Sequence, residues 1–142
     1  MTNPIYTHTL EIPFYDVDTL RIAWHGNYVK YLEEARCAWL KAVGYTYIDM
    51  EKAGYLFPIV RVELKYLRPA KFGQKIFVHL FLRDFETALK IDYRIESETG
   101  ELLTKAYTMQ AAVKAHPFET QYQIPLAFQT AIQAYLEKQQ ND

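Results

Sequence analysis

The chain has 142 residues, half of them apolar and 23% charged, with a formal net charge of -1. That size and balance describe one globular domain with a sizeable core. A near-neutral chain without a Lys/Arg run has no electrostatic footprint for nucleic acid. Cys37 is the single cysteine, so no intrachain disulfide is available, and neither a signal-peptide pattern nor a membrane-length apolar run is present. The expectation is a cytoplasmic protein with no membrane span.

In chain order, Tyr6, His8, Leu10, Ile12 and Phe14 alternate with polar neighbours, which predicts a first strand. Pro13 cannot donate to a ladder and places that strand at a sheet edge. Asp16 and Asp18 follow, six residues separate Asp18 from His25, and His25-Gly26-Asn27-Tyr28 opens a new pattern. There the period lengthens: Tyr28, Tyr31, Leu32, Ala35, Ala38, Trp39, Ala42 and Val43 form one stripe of a helix stopped by Gly44. Lys30, Glu33, Glu34, Cys37 and Lys41 fall on the opposite, solvated face, with Cys37 read as a small packing residue. Thr46 to Ala53 adds a short helical piece.

Four apolar, alternating segments come next: Phe57 to Leu67, Ile76 to Phe85, Leu89 to Ser97, and Leu102 to Val113. Glu98-Thr99-Gly100-Glu101 reads as a hairpin turn and Arg68 to Gly73 as a longer connection, so neighbouring strands are mainly antiparallel. Pro125 opens a last helix through Leu126, Ile132, Tyr135 and Leu136, with a tail from Glu137 to Asp142 polar enough to fray. The 12 Tyr and 8 Phe exceed what a small core needs and are available to a tunnel or a subunit interface.

The chemistry concentrates where the strand gives way to the helix. The first turn of a helix has unpaired N-H groups and a partial positive charge, able to hold a developing oxyanion. The carboxylates of Asp16 and Asp18 and the imidazole of His25 lie beside that mouth. Asn27 suits a helix cap, and Gly26 admits close approach of a ligand to the backbone. A loop Asp also serves as a plain turn residue. His8, His79 and His116 lack metal-ligand spacing, so no metal and no cofactor is expected.

This order of elements, the segment Phe14-Tyr15-Asp16-Val17-Asp18 with His25-Gly26-Asn27-Tyr28, and the block Val62 to Ala70 together resemble the hotdog-fold acyl-CoA thioesterases of the 4-hydroxybenzoyl-CoA thioesterase type. The resemblance implies an α+β hotdog fold: a long central helix wrapped by a five-stranded, mainly antiparallel sheet, with a C-terminal helix. It implies hydrolysis of acyl-CoA thioesters, with Asp18 as nucleophile or general base and Asp16 as structural support that accepts backbone hydrogen bonds. His25 either orients substrate or water beside Asp18 or simply bonds the helix entry.

Backbone N-H groups near Trp24 and His25 would polarise the thioester carbonyl, with Trp24, Gly26, Asn27, Tyr28, Arg21 and Arg68 around the substrate. Phosphates of CoA would fall to residues among Arg61, Lys65, Arg68, Lys71, Arg83 and Lys90. The chain departs from the family pattern in Arg83-Asp84-Phe85-Glu86, where relatives can carry a basic cluster, and in Arg21, where Gly is frequent. Arg21 would narrow the pocket or bind an anionic group. The expected assembly is a homodimer or homotetramer. An acyl-carrier-protein thioester as substrate, and a non-catalytic acyl-binding or interaction module, remain the alternatives.

Overall fold

A computed structural model describes residues 3–141. Its strands and helices are β1 (Tyr6–Glu11), α1 (Tyr28–Val43), α2 (Tyr47–Lys52), β2 (Tyr55–Leu56), β3 (Ile59–Tyr66), β4 (Lys75–Asp84), β5 (Leu89–Ser97), β6 (Leu102–Gln110), β7 (Ala112–Lys114), β8 (Glu119–Gln121) and α3 (Leu126–Asn141). Five strands form one sheet in the order β1-β4-β5-β6-β3, every pairing antiparallel. This is the hotdog architecture: α1 lies across one face of the sheet, and β1 and β3 are its edges.

Alternation decides which face is buried. Ile76, Val78 and Leu80 of β4, Ile91, Tyr93 and Ile95 of β5, and Leu103 of β6 are buried and meet Tyr31, Leu32, Ala35, Trp39 and Leu40 of α1. Each of these large side chains contributes about 1.5–3 kcal/mol through removal from water. Gly44, at φ 85°, ends α1 and donates its N-H to the carbonyls of Leu40 and Lys41. The hairpin at 98–101 is closed by Gly100 N-H to Ser97 O at 3.0 Å and Ser97 N-H to Glu101 O at 2.9 Å.

Several elements differ from the sequence reading. The first strand stops at Glu11; beyond Pro13 the chain turns into a short 3-10 segment, Phe14–Asp16, that carries Asp16 inward. The segment expected from Phe57 to Leu67 forms the single strand β3, Ile59–Tyr66, whereas the one from Leu102 to Val113 is divided at Ala111. The piece after that break, β7, pairs on one side with β2, which precedes Phe57, and on the other with β8, a three-stranded sheet that alternation did not reveal. Two-residue and three-residue strands are too short to show a period.

The buried face of α1 also differs from the apolar stripe. Arg36 and Leu40 are buried while Ala42 is exposed, and Cys37 is exposed rather than packed. Arg36 donates from Nε to the Tyr47 hydroxyl at 2.7 Å and from Nη1 to that of Tyr93 at 3.3 Å, polar partners supplied by α2 and β5. On α3, Phe128 and not Leu126 is buried, stacked on Tyr45 with centroids 5.0 Å apart. The tail stays helical through Asn141 because Gln139 and Tyr135 both donate to the Ile5 carbonyl at the start of β1; Asp142 lies outside the described residues. No described helix is long and apolar enough to cross a membrane.

Candidate active site

The segment between β1 and α1 is a small hairpin closed by three contacts of its own. Val17 bridges Ala23, the Asp18 N-H donates to Ile22 O at 3.0 Å, and the Arg21 N-H donates to Asp18 O at 2.9 Å. Such a turn closes with a left-handed residue, a position suited to Gly, and here Arg21 occupies it at φ 62°. The backbone angle therefore accounts for the preference for Gly at this point. Arg21 is exposed and is not among the residues that line the cleft described below. The hairpin is held against the β3–β4 connection by Ala23 N-H to Ala70 O at 2.7 Å and Phe72 N-H to Arg21 O at 3.0 Å.

Asp16 anchors the hairpin to the helix. Its side chain is 4% exposed; Oδ2 accepts the Tyr31 hydroxyl at 2.8 Å and Oδ1 the Lys30 ammonium at 2.6 Å. The carboxylate thus takes side-chain donors from α1, not the backbone N-H groups expected of it. Its backbone carbonyl accepts the Trp24 N-H at 3.0 Å and the Asn27 side-chain amide at 2.8 Å. Burial, followed by the bond to Asp16 and the charge of that carboxylate, pushes the Tyr31 phenol well above its ordinary range.

The helix mouth lies one turn earlier than Asn27. His25–Asn27 is a 3-10 turn that runs directly into α1, with Trp24 at its start; Asn27 is already helical at φ -77° and ψ -16° and makes no capping bond, and its side-chain amide donates to the Asp16 carbonyl. The Trp24 N-H is occupied by Asp16. The N-H groups of His25 and Gly26 are the first free donors of the turn: neither has an acceptor among the described residues. Gly26 is required for space, since a Cβ there would fall inside the Trp24 indole, which lies over the backbone and is 52% exposed.

Asp18, Ile22, Ala23, His25, Tyr28, Tyr66, Leu67, Arg68 and Pro69 line a cleft of about 310 Å³. Asp18 is exposed, with Oδ1 fixed by the Leu20 N-H at 2.8 Å. Tyr28 is buried; its hydroxyl accepts the Ala70 N-H at 3.2 Å, and burial first of all raises its pKa. Arg68 stands 3.8 Å from Glu101 at the rim. Of the sequence-predicted site residues, Asp18, His25, Tyr28 and Arg68 share the cleft, while Trp24, Gly26 and Asn27 form the turn behind it.

Tyr66 was not singled out by the sequence. Its hydroxyl donates to the His25 carbonyl at 3.0 Å, and its ring meets Tyr28 edge-on with centroids 5.0 Å apart. Its position at the end of β3, two residues before Arg68, carries no signal in one sequence that this strand end faces the helix mouth.

The basic residues offered for CoA phosphates are partly committed elsewhere. Arg83 donates to Asp92 and lies 4.1 Å from the Tyr107 ring centre, and Arg61 pairs with Glu63 at 2.9 Å. Glu33 and Glu34 are exposed on the outer side of α1, as their spacing predicts.

Fold and site together define a hotdog domain of the thioesterase type, with a carboxylate beside an unpaired helix N-terminus. The chain belongs to the Thioesterase-like superfamily, whose model matches residues 12–132. It is 31% identical over 123 residues, 86% of each chain, to YneP of Bacillus subtilis (strain 168), named as a candidate acyl-CoA thioesterase. A solved structure titled as a DHNA-CoA thioesterase from Staphylococcus aureus is 25% identical, with a TM-score of 0.81 over 94% of this chain and 90% of that one. Slr0204 from Synechocystis, titled a 1,4-dihydroxy-2-naphthoyl-CoA thioesterase, shares the fold with a TM-score of 0.82 at 22% identity, covering 89% of this chain and 94% of that one.

Proposed function

We propose that the protein hydrolyses acyl-CoA thioesters to the free acid and CoA, with Asp18 as the reacting carboxylate. The observation that carries this reading is the meeting of Asp18 and His25 in one cleft, at a turn whose His25 and Gly26 N-H groups have no acceptor among the described residues. The names of YneP and of the Staphylococcus structure support the substrate class.

In this mechanism the thioester carbonyl oxygen points at the His25 and Gly26 amides, which stabilise the negative charge that develops there. Asp18 either removes a proton from water as that water attacks, or attacks the carbonyl carbon itself to give an anhydride that water then opens. The CoA thiolate departs in both routes. A free thiol ionises near pH 8.5, so the leaving group needs little protonation and His25 serves to orient water or substrate. Arg68, at the rim, is placed for an anionic part of the substrate.

The edge strand β3 supports a homodimer, alone or within a homotetramer. Ile59, Val60 and Val62 are exposed along it, and an unpaired edge with apolar side chains invites a second strand. Light scattering reads this directly, and a monomer would oppose it.

The function is tested by thiol release from short, long and aromatic acyl-CoA thioesters with wild type and Asp18→Asn. Asparagine keeps an oxygen for the Leu20 N-H but cannot act as base or nucleophile, so turnover falls by about 10²–10⁴-fold. An Asp18→Asn variant with wild-type turnover sinks the assignment. A wild type that binds acyl-CoA without releasing thiol identifies a binding module, and one active only on carrier-protein thioesters changes the substrate class.

A further inference from the structure

We infer that Tyr66 is a positioning residue that strengthens the Gly26 amide as an oxyanion donor by hydrogen-bonding to the other end of the same peptide unit. The inference rests on the oxyanion reading proposed above. The His25 carbonyl and the Gly26 N-H belong to one peptide group, and a donor on the oxygen draws electron density from the nitrogen. The Tyr66 hydroxyl donates to that oxygen at 3.0 Å, and the Tyr28 N-H donates to the same oxygen. The peptide is thereby polarised from its oxygen end, while its N-H has no acceptor among the described residues.

The placement of Tyr66 suits this work. It stands at the end of β3, the strand on the far side of the cleft from the hairpin that carries Asp18, and its ring is wedged edge-on against Tyr28 and, with centroids 6.3 Å apart, against His25. Tyr28 in turn is fixed by its bond to the Ala70 N-H. The hydroxyl is therefore delivered by a packed aromatic pair and not by a free side chain. Burial raises the Tyr66 pKa, so the phenol keeps its proton at neutral pH and remains a donor.

A hydrogen bond polarised by its neighbour gains about 10–30% in strength, and loss of a whole oxyanion donor costs about 10²–10³-fold in kcat. That fraction of the logarithm sets the expected effect of Tyr66→Phe at about a two- to eight-fold fall in kcat. KM should stay within about two-fold, because the ring that lines the cleft is retained.

The readout that a packing role would not move is the Gly26 amide itself. His25-Gly26 is the one His-Gly pair in the chain, so labelling His at its carbonyl carbon and Gly at nitrogen isolates a single cross-peak. In Tyr66→Phe the Gly26 amide proton should move upfield, as a less polarised N-H. Tyr66→Leu, which also removes the ring, should raise KM in addition.

An unchanged Gly26 amide, or an unchanged kcat in Tyr66→Phe, overturns the inference while leaving the hydrolase reading intact. A wild type without turnover on any thioester overturns both together. A kcat loss accompanied by an equal loss of thermal stability, with the Gly26 amide in place, assigns Tyr66 a purely structural role and also overturns it.

Discussion

Replacing Asp16 by Ala removes a buried acceptor from two donors, and the cost can be worked from their surroundings. The Tyr31 hydroxyl is buried and its bond to Asp16 is 2.8 Å long. Left without an acceptor, it costs about 1–3 kcal/mol. Lys30 is 45% exposed on its side chain and can turn to water, so its 2.6 Å pair with Asp16 adds only about 0–1 kcal/mol. The expected loss is about 2–3 kcal/mol, which lowers Tm by roughly 5–10 °C in a chain of this length. Urea unfolding at fixed protein concentration measures it, the concentration held because association would add to apparent stability. Asp16→Asn keeps an oxygen for Tyr31 and should cost about 1 kcal/mol or less. Tyr31→Phe made in the Asp16→Ala background should restore about 1 kcal/mol or more by removing the orphaned hydroxyl. If Asp16→Ala costs no more than Asp16→Asn, the carboxylate is not the anchor of the hairpin.

The remaining predictions concern the turn, the mouth and the buried phenols. Arg21→Gly relieves a left-handed backbone in a non-Gly residue and should stabilise by about 0.5–1 kcal/mol after the greater freedom of Gly in the unfolded chain is subtracted; an unaltered or lower Tm counts against that account. Gly26→Ala must displace the Trp24 indole, so emission should shift to the red while Trp39, which is fully buried, keeps its contribution. An unmoved emission maximum would show that the ring does not lie over Gly26. Tyr28, Tyr31 and Tyr93 have raised folded pKa values, largely through burial, against a value of 10.0 when unfolded. The stability they contribute is therefore complete below pH 10.0 and falls as pH rises above it, because the unfolded chain releases the protons first. Urea midpoints should drop between about pH 10 and 11.5, and midpoints that hold constant there would refute the sign.

Much of this protein is written in its local pattern. Period-two alternation in the segments that became β4 and β5, the 3.6-residue stripe of α1, and the glycines at 44 and 100 act through neighbouring residues, so a reader of the chain recovers them without knowing what they touch. The nearness of Asp18 to His25, which line one cleft, was also legible, since only six residues separate them. What local pattern cannot carry is the partner of a polar group from a distant element. Arg36 lies outside the apolar stripe of the sequence, yet Tyr47 and Tyr93 bring hydroxyls to it and make its burial tolerable. Asn27 reads as a cap, yet the helical turn already begins at His25, so that the N-H groups without an acceptor among the described residues are those of His25 and Gly26. Tyr66 reads as one more strand residue until folding sets the end of β3 against the helix mouth. Sequence alone determined the long elements, because propensity and periodicity are short-range, but not the short strands β2, β7 and β8. The tertiary structure decided which N-H groups at the helix entry have no acceptor among the described residues, because a hydrogen bond is settled by whichever acceptor arrives in space.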